Sequence, residues 1–122
     1  MSSCRATNAK ARAVHRPTRG VPNKTEAAYR DQLEFLRQSG LIHAYAFEAL
    51  RLRLAPATGY TPDFLVITNH GEVELHEVKG WMRDDANAKL KIAAELYPYF
   101  RFRLVRQTAK RDGGGWNVED VA

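Results

Sequence analysis

The stretch that decides the fold is TPDFLVITNHGEVELHEVKG, residues 61–80. Two runs rich in aliphatic and β-branched residues, 64–68 and 72–79, flank the tripeptide Asn-His-Gly at 69–71. A short connection containing glycine between two strand-like runs is typical of a β-hairpin. If the tripeptide forms the loop, residues pair across the hairpin when their numbers sum to 140. The sequence therefore predicts both an antiparallel hairpin and its register.

The predicted register brings two carboxylates together. Asp63 faces Glu77, and because side chains alternate along a strand, Lys79 lies on the same face. Directly opposed like charges destabilise a sheet, and a divalent cation such as Mg²⁺ removes that repulsion while accepting water and phosphate oxygens. Lys79 then has two interpretations. It acts on the attacking water and on charge in the transition state, or it neutralises the acids without any metal.

A helix is predicted before the hairpin, from the N-cap Asn23 to about Gln38. Glu26 lies three residues after Asn23, which is the spacing of a capping box. It also shares a helical face with Tyr29 and Leu33, and that face should point to the sheet. A carboxylate on a core-facing stripe is costly unless it is paired or ligated. Glu26 is therefore either a helix cap or a third acid at the Asp63 end of the hairpin.

The remaining elements follow from periodicity and turn residues. Strands are predicted at 41–47, 50–54, 100–104 and 116–118, a loop at 56–60, and a second helix from Asp84 or Asp85 to about Tyr97. The order is helix, about three antiparallel strands, helix, strand. This order predicts a single α/β domain, residues 23–122, around one small mixed sheet.

The charge of the chain is uneven. The 122 residues carry a net charge of +5, but the first 24 hold six basic side chains and no acid, so the remainder is nearly neutral. Residues 1–22 are predicted to be a flexible basic arm, either a phosphate-binding segment or a solvated leader. The single cysteine excludes an intramolecular disulfide, and no apolar run is long enough for a membrane span. These features predict a cytoplasmic protein that does not enter a membrane.

Two short motifs, Thr61-Pro62-Asp63-Phe64 and Glu77-Val78-Lys79-Gly80, resemble the motif of the PD-(D/E)xK nuclease superfamily. Together with the segments around them, these motifs resemble a family of short phage and prophage proteins of unknown function within this superfamily. The resemblance covers about residues 23–107, with further matching segments at 23–26, 45–48 and 74–81. The motif by itself has low specificity, and the surrounding segments strengthen the resemblance.

The resemblance implies a restriction-endonuclease-like domain with an α-β-β-β-α-β core and a Mg²⁺-dependent endodeoxyribonuclease activity, with Mn²⁺ as a substitute. Asp63, Glu77, the carbonyl of Val78 and Glu26 would bind the metal, and Lys79 would support the attacking water. The likeness extends to junction-resolving endonucleases of phages, which makes branched DNA an expected substrate and the bacterial host cytoplasm the expected location. A chain of this size holds one active centre, and cutting both strands needs two copies, so a two-fold homodimer is a further expectation. The alternative is a non-catalytic DNA-binding or partner-binding phage accessory protein with the same fold.

Candidate contacts to nucleic acid lie outside the acidic centre. They are Lys24, Trp81, Lys89 and Lys91, and a possible phosphate-binding stripe of Arg101, Arg103 and Arg106. The lysines could instead keep a helix soluble, Trp81 could be a core aromatic, and the arginines could form a solvated face. His76 is predicted to lie on the sheet face away from the metal.

Overall fold

The computed structural model describes residues 20–79 and 85–121. Its elements in chain order are α1 (Lys24–Gln38), β1 (Ala44–Phe47), β2 (Leu52–Ala55), β3 (Thr58–Tyr60), β4 (Phe64–Ile67), β5 (Val73–Lys79), α2 (Asp85–Leu96), β6 (Arg101–Gln107), a 3₁₀ turn (Lys110–Asp112) and β7 (Trp116–Val121). The predicted α/β class is confirmed. Most of the predicted basic arm, residues 1–22, lies outside the described residues. Neither described helix is both long enough and apolar enough to cross a membrane.

The main sheet has five strands in the order β1-β4-β5-β6-β7. The β5–β6 pair is parallel and the other three pairs are antiparallel, so the sheet is mixed as predicted. The parallel pair needs a crossover connection, and α2 supplies it. The predicted order of helix, three strands, helix and strand is present as α1-β1-β4-β5-α2-β6. A separate ribbon, β2–β3, is inserted after β1, and β7 extends the sheet at its edge.

The prediction of a loop at residues 56–60 is wrong in its second half. Thr58–Tyr60 forms β3, which pairs with β2 in the register Leu52 to Tyr60. A bulge between Arg53 and Ala55 shifts this register. The ribbon forms because Tyr60 turns its ring into the core cluster on the α2 side, where it is 7% exposed. That burial depends on residues distant in sequence, which local turn signals do not reveal.

The two helices cover opposite faces of the main sheet. One cluster of buried side chains lies between α1 and the sheet and comprises Tyr29, Leu33, Phe64, Val66, Val78 and Val105. The other lies between the sheet, α2 and the ribbon and comprises Leu52, Tyr60, Leu75, Leu90, Ala93, Phe102 and Leu104. Odd-numbered residues of β5 thus face α2 and even-numbered ones face α1, as expected for a regular strand. This alternation decides which side chains can reach the acidic end of the hairpin.

Candidate active site

The hairpin has the register that the sequence predicts. Phe64 pairs with His76 and Leu65 pairs with Leu75, so paired numbers sum to 140. Asp63 directly precedes β4 and continues this register opposite Glu77 of β5. The backbone carbonyl of Asp63 accepts a hydrogen bond from the N–H of Glu48 at 2.8 Å, which extends the β1–β4 pairing to this position. The structure therefore holds the two acids at one end of the central hairpin.

Asp63 is 9% exposed, and its carboxylate is held by the neighbouring strand. Its Oδ2 accepts a hydrogen bond from the backbone N–H of Val78 at 2.8 Å. This bond fixes the orientation of the carboxylate and stabilises its charge. The side chain of Val78 packs on the α1 side, so only its backbone takes part. Val78 was predicted to contribute its carbonyl to a metal, and the amide contact is an additional role.

Glu77 is held at both oxygens. Its Oε1 accepts a hydrogen bond of 2.5 Å from the hydroxyl of Tyr60, and its Oε2 lies 3.7 Å from the Nζ of Lys79. Lys79 is itself buried, with 6% of its surface exposed. The predicted proximity of Glu77 and Lys79 is confirmed. Tyr60 was missed because it was assigned to a loop, and a strand of three residues has no local signal strong enough to correct that assignment.

Glu26 lies at the N-terminus of α1 and fulfils the capping prediction. Its Oε1 accepts a hydrogen bond from the N–H of Asn23 at 2.9 Å, and Asn23 Oδ1 accepts one from the N–H of Glu26 at 2.8 Å. The same carboxylate is close enough to raise the pKa of both Asp63 and Glu77. Capping and proximity to the opposed acids are therefore compatible, and Glu26 is the third carboxylate of the cluster.

The surroundings of the acids disfavour their charged forms. Burial, the Glu77 carboxylate and the Glu26 carboxylate raise the pKa of Asp63 to about 8, against the opposite effect of the Val78 N–H. Burial likewise raises the pKa of Glu77, although the Tyr60 hydroxyl and the Lys79 ammonium oppose the rise. One lysine is thus insufficient to compensate the buried acids. The cluster has an unmet demand for positive charge, supplied either by a bound proton or by a cation.

No protein-family profile, curated protein or solved structure matches this chain. Its function is therefore inferred from its own side chains.

The acidic cluster fits a hard divalent cation in charge and in donor type. Carboxylate and carbonyl oxygens suit Mg²⁺, which takes one or two carboxylates and retains several waters. Within residues 20–79 and 85–121, no three side chains from His, Cys, Asp and Glu are arranged as a ligand set for a metal. A cation here would depend on Asp63 and Glu77, with backbone, water and substrate oxygens completing its shell. That pattern is the usual one for a metal that handles phosphates.

The residues predicted to contact nucleic acid differ in their exposure and in their contacts within the domain. Lys24 is exposed at the start of α1, beside the capped helix end, and Lys91 is exposed on α2. The Nζ of Lys89 donates a hydrogen bond to the carbonyl of Gly59 at 3.3 Å, so this lysine anchors the ribbon to α2. Trp81 lies outside the described residues, as does Asp84, one of the two predicted starts of the second helix.

The predicted stripe of three arginines on β6 is wrong. Arg101 and Arg103 lie on the α1 side of the strand, whereas Arg106 shares the parity of Phe102 and Leu104 and lies on the α2 side. Arg106 lies three positions after Arg103, an odd number, so the two cannot share a face of a regular strand. The Nε of Arg103 also lies 3.5 Å from Glu74 and 3.4 Å from Asp120. Arg103 is therefore engaged within the domain.

A second polar cluster lies under α1, on the face away from the opposed acids. His76 is buried, and its Nδ1 is 2.8 Å from the Tyr29 hydroxyl while its Nε2 is 2.9 Å from Glu74 Oε1. Arg103 completes the group through Glu74. The predicted orientation of His76 away from the acids is confirmed. The hydrogen bond to His76 is the main reason that the pKa of Glu74 is lowered, so the charge of this carboxylate is compensated, in contrast to the charges of the acidic cluster.

A cavity of about 500 Å³ lies at the opposite end of the sheet from the acids. It is lined by the hairpin turn, the loop after α2, the start of β6 and the end of β7. None of the predicted catalytic residues borders it. The cavity therefore lies apart from Asp63, Glu77 and Lys79, whose buried charges are incompletely compensated and are the more distinctive chemical feature.

Proposed function

We propose that this chain is a metal-dependent DNA endonuclease whose active centre is formed by Asp63, Glu77 and Lys79. The observation that carries the proposal is the opposition of the buried Asp63 carboxylate and the partly buried Glu77 carboxylate, both with raised pKa, beside the buried Lys79. Such an arrangement reduces folding stability, because burial and mutual repulsion both disfavour the charged acids. Titratable groups perturbed by burial and by specific charged partners are typical of functional sites.

Asp63 and Glu77 would hold Mg²⁺, or Mn²⁺ as a substitute, with the carbonyl of Val78 and water completing the shell, and Glu26 would add negative charge beside the metal without being a direct ligand. When bound, the cation would lower the pKa of a water molecule and stabilise charge on the phosphoryl group. The chain prepares this centre by orientation. The Val78 N–H orients Asp63, and the Tyr60 hydroxyl orients Glu77. Neither acid therefore has to reorganise when a cation binds, which is the form of preorganisation that lowers a barrier most effectively.

Lys79 would act on the reacting groups directly. Its ammonium is held on the same strand face as Glu77 and lies 3.7 Å from that carboxylate. From this position it can donate a hydrogen bond to the attacking water or to a non-bridging phosphate oxygen. The water oxygen forms a bond to phosphorus, the bond from phosphorus to the leaving oxygen breaks, and the water proton passes to solvent or to a neighbouring base. The enzyme forms no covalent intermediate in this scheme.

One active centre cleaves one strand. Cutting both strands of a duplex, or both sides of a junction, would require two copies related by a two-fold axis. A homodimer acting on branched DNA is therefore the form of the proposal that agrees with the resemblance described above. Light scattering of the free protein and of its complex with a four-way junction measures this stoichiometry.

Cleavage of defined substrates tests the proposal. Linear, nicked, single-stranded and four-way-junction DNA are incubated with the full chain, with Mg²⁺, with Mn²⁺ and with a chelator. We expect metal-dependent cleavage that Asp63→Asn and Glu77→Gln abolish without loss of folding. Glu72→Gln, which neutralises an exposed acid at the turn of the same hairpin, is the matched control and should cleave normally.

The opposite outcome is equally clear. DNA binding that needs no metal, with no cleavage of any substrate, would support the non-catalytic alternative. Full activity of Asp63→Asn or Glu77→Gln would place the active centre elsewhere.

A further inference from the structure

The β2–β3 ribbon carries two exposed arginines on its outer face. Arg51 directly precedes β2 and Arg53 lies within it, while Leu52 between them turns into the core. Both arginines line a groove of about 390 Å³ together with residues 55–59. Among the described residues, no ion pair joins either arginine to an acid. The groove is thus a basic surface without internal neutralisation in that part of the chain.

Gly59 shapes this surface. A Cβ at position 59 would lie 2.5 Å from both the Cζ and the Nε of Arg51, so the guanidinium rests flat against the glycine. Gly59 does not have a positive φ, and its backbone conformation is therefore open to any residue. Glycine within a strand weakens the strand and often marks the close approach of another group. The group accommodated here is the Arg51 guanidinium.

The ribbon is held rigidly against the domain. Lys89 donates to the carbonyl of Gly59 at 3.3 Å, and the hydroxyl of Tyr97 donates to the carbonyl of Arg53 at 2.6 Å. The residue after Gly59 is Tyr60, whose hydroxyl binds Glu77 at 2.5 Å. The glycine beneath Arg51 is therefore directly followed in the chain by a residue whose side chain contacts the acidic cluster. The groove and the cluster belong to one connected structure.

We infer that the Arg51–Arg53 groove binds the phosphate backbone of the DNA whose scissile phosphate lies at Asp63 and Glu77. The inference rests on the proposed nuclease function for the identity of its ligand. A planar guanidinium with a fixed orientation binds a phosphate through two parallel hydrogen bonds, and a lysine cannot reproduce that geometry. Stacking on Gly59 fixes the plane of Arg51 before DNA arrives, so less side-chain entropy is lost on binding.

DNA affinity, measured by fluorescence anisotropy in the absence of divalent metal, tests the groove separately from catalysis. The full chain is titrated onto a labelled four-way junction and a labelled duplex at several salt concentrations. We expect Arg51→Ala to weaken binding at least about fivefold and to reduce the salt slope by about one, the value for one lost phosphate contact. Arg51→Lys should recover the slope but only part of the affinity. The charge-matched control is Arg101→Ala, at the end of β6 away from the acids, and it should bind almost normally.

Gly59→Ala tests the groove more specifically than Arg51→Ala, because it keeps every charge and displaces only the Arg51 guanidinium. We expect it to weaken DNA binding as Arg51→Ala does, and the double variant Arg51→Ala/Gly59→Ala should be no weaker than Arg51→Ala alone. Thermal unfolding of each variant identifies any loss of fold. Wild-type affinity and salt slope in Arg51→Ala would overturn the inference, as would a loss of stability in that variant without a change in DNA binding.

The two proposals fail in different ways. If the wild-type chain binds DNA through Arg51 but never cleaves it, the nuclease function fails and the groove stands. If it cleaves DNA and the Arg51 variants bind normally, the groove fails and the nuclease function stands. If the wild-type chain binds no DNA, both fail.

Discussion

The substitution Asp63→Asn should stabilise the metal-free protein, and the gain should grow with pH. Burial and the neighbouring carboxylates raise the pKa of Asp63 from 3.8 to about 8 in the folded chain. Between these values the folded chain binds a proton that the unfolded chain has released. The free energy of unfolding therefore falls as pH rises from about 4 to about 8. Asparagine removes this titration and keeps an oxygen that can accept the hydrogen bond from the Val78 N–H.

The magnitude follows from the size of the shift. One pKa unit corresponds to about 1.4 kcal/mol, so a rise from 3.8 to about 8 limits the gain to about 6 kcal/mol at high pH. The asparagine amide is itself buried, and repulsion between Glu26 and Glu77 remains, so we expect about half of that limit, ~3 kcal/mol at pH 8. The same reasoning gives ~1 kcal/mol at pH 5. For a domain of this size the difference at pH 8 corresponds to a rise in Tm of roughly 10 °C.

Urea and thermal unfolding of both proteins in chelator, at pH 5 and at pH 8, measure this effect. Glu72→Gln is the control for loss of an exposed acid and should show no such pH dependence. Adding Mg²⁺ at pH 8 should raise the Tm of the wild-type chain and have much less effect on Asp63→Asn, because a ligand stabilises only the state that binds it. A stability difference that is the same at both pH values would refute the raised pKa of Asp63.

Three further predictions concern the partners of the opposed acids. Lys79→Ala should keep its Mg²⁺-dependent rise in Tm and bind DNA within a few-fold of wild type, yet cleave at least roughly a hundredfold more slowly in single-turnover assays; a matching loss of affinity would make Lys79 a binding residue. Tyr60→Phe removes a hydrogen-bond donor to Glu77, so the pKa of Glu77 should rise further and cleavage should need a higher Mg²⁺ concentration. An unchanged Mg²⁺ titration would show that Tyr60 does not orient Glu77. Glu26→Gln retains an acceptor for the Asn23 N–H, so it should keep the stability of the helix but lower the affinity for Mg²⁺. Glu26→Ala should in addition lower the free energy of unfolding by about 1 kcal/mol, because the helix cap is lost. Equal Mg²⁺ affinity in wild type and Glu26→Gln would show that Glu26 acts only as a helix cap.

The hairpin could be predicted from sequence because all of its determinants are local. A glycine-containing turn and the alternation of aliphatic residues fix the register, and the register places Asp63 opposite Glu77. The capping role of Glu26 was also readable, since Asn23 and Glu26 are only three residues apart. The β2–β3 ribbon could not be predicted, because β3 is only three residues long and its Tyr60 is buried by residues of α2 and the main sheet, which are distant in sequence.

Polar contacts between different helices and strands could not be predicted either, because their partners are distant in sequence. His76 could be assigned to a face by parity, but its partner Tyr29 comes from α1, 47 residues earlier in the chain. The arginine stripe failed on parity alone, because Arg106 and Arg103 are separated by an odd number of positions on one strand. Side-chain parity is thus reliable within a strand when it is counted strictly, whereas partners supplied by other elements require the three-dimensional structure.

The acidic cluster shows why such partners matter for function. Two opposed carboxylates on a hairpin would be unfavourable by themselves. Here β5 contributes an N–H and an ammonium, the ribbon contributes the Tyr60 hydroxyl, and α1 brings its N-terminus, whose partial positive charge favours nearby anions, together with the added acid Glu26. The donors orient the acids without neutralising them, as the raised pKa of Asp63 shows. Fixed orientation together with uncompensated charge is the combination that the proposed divalent-cation site requires.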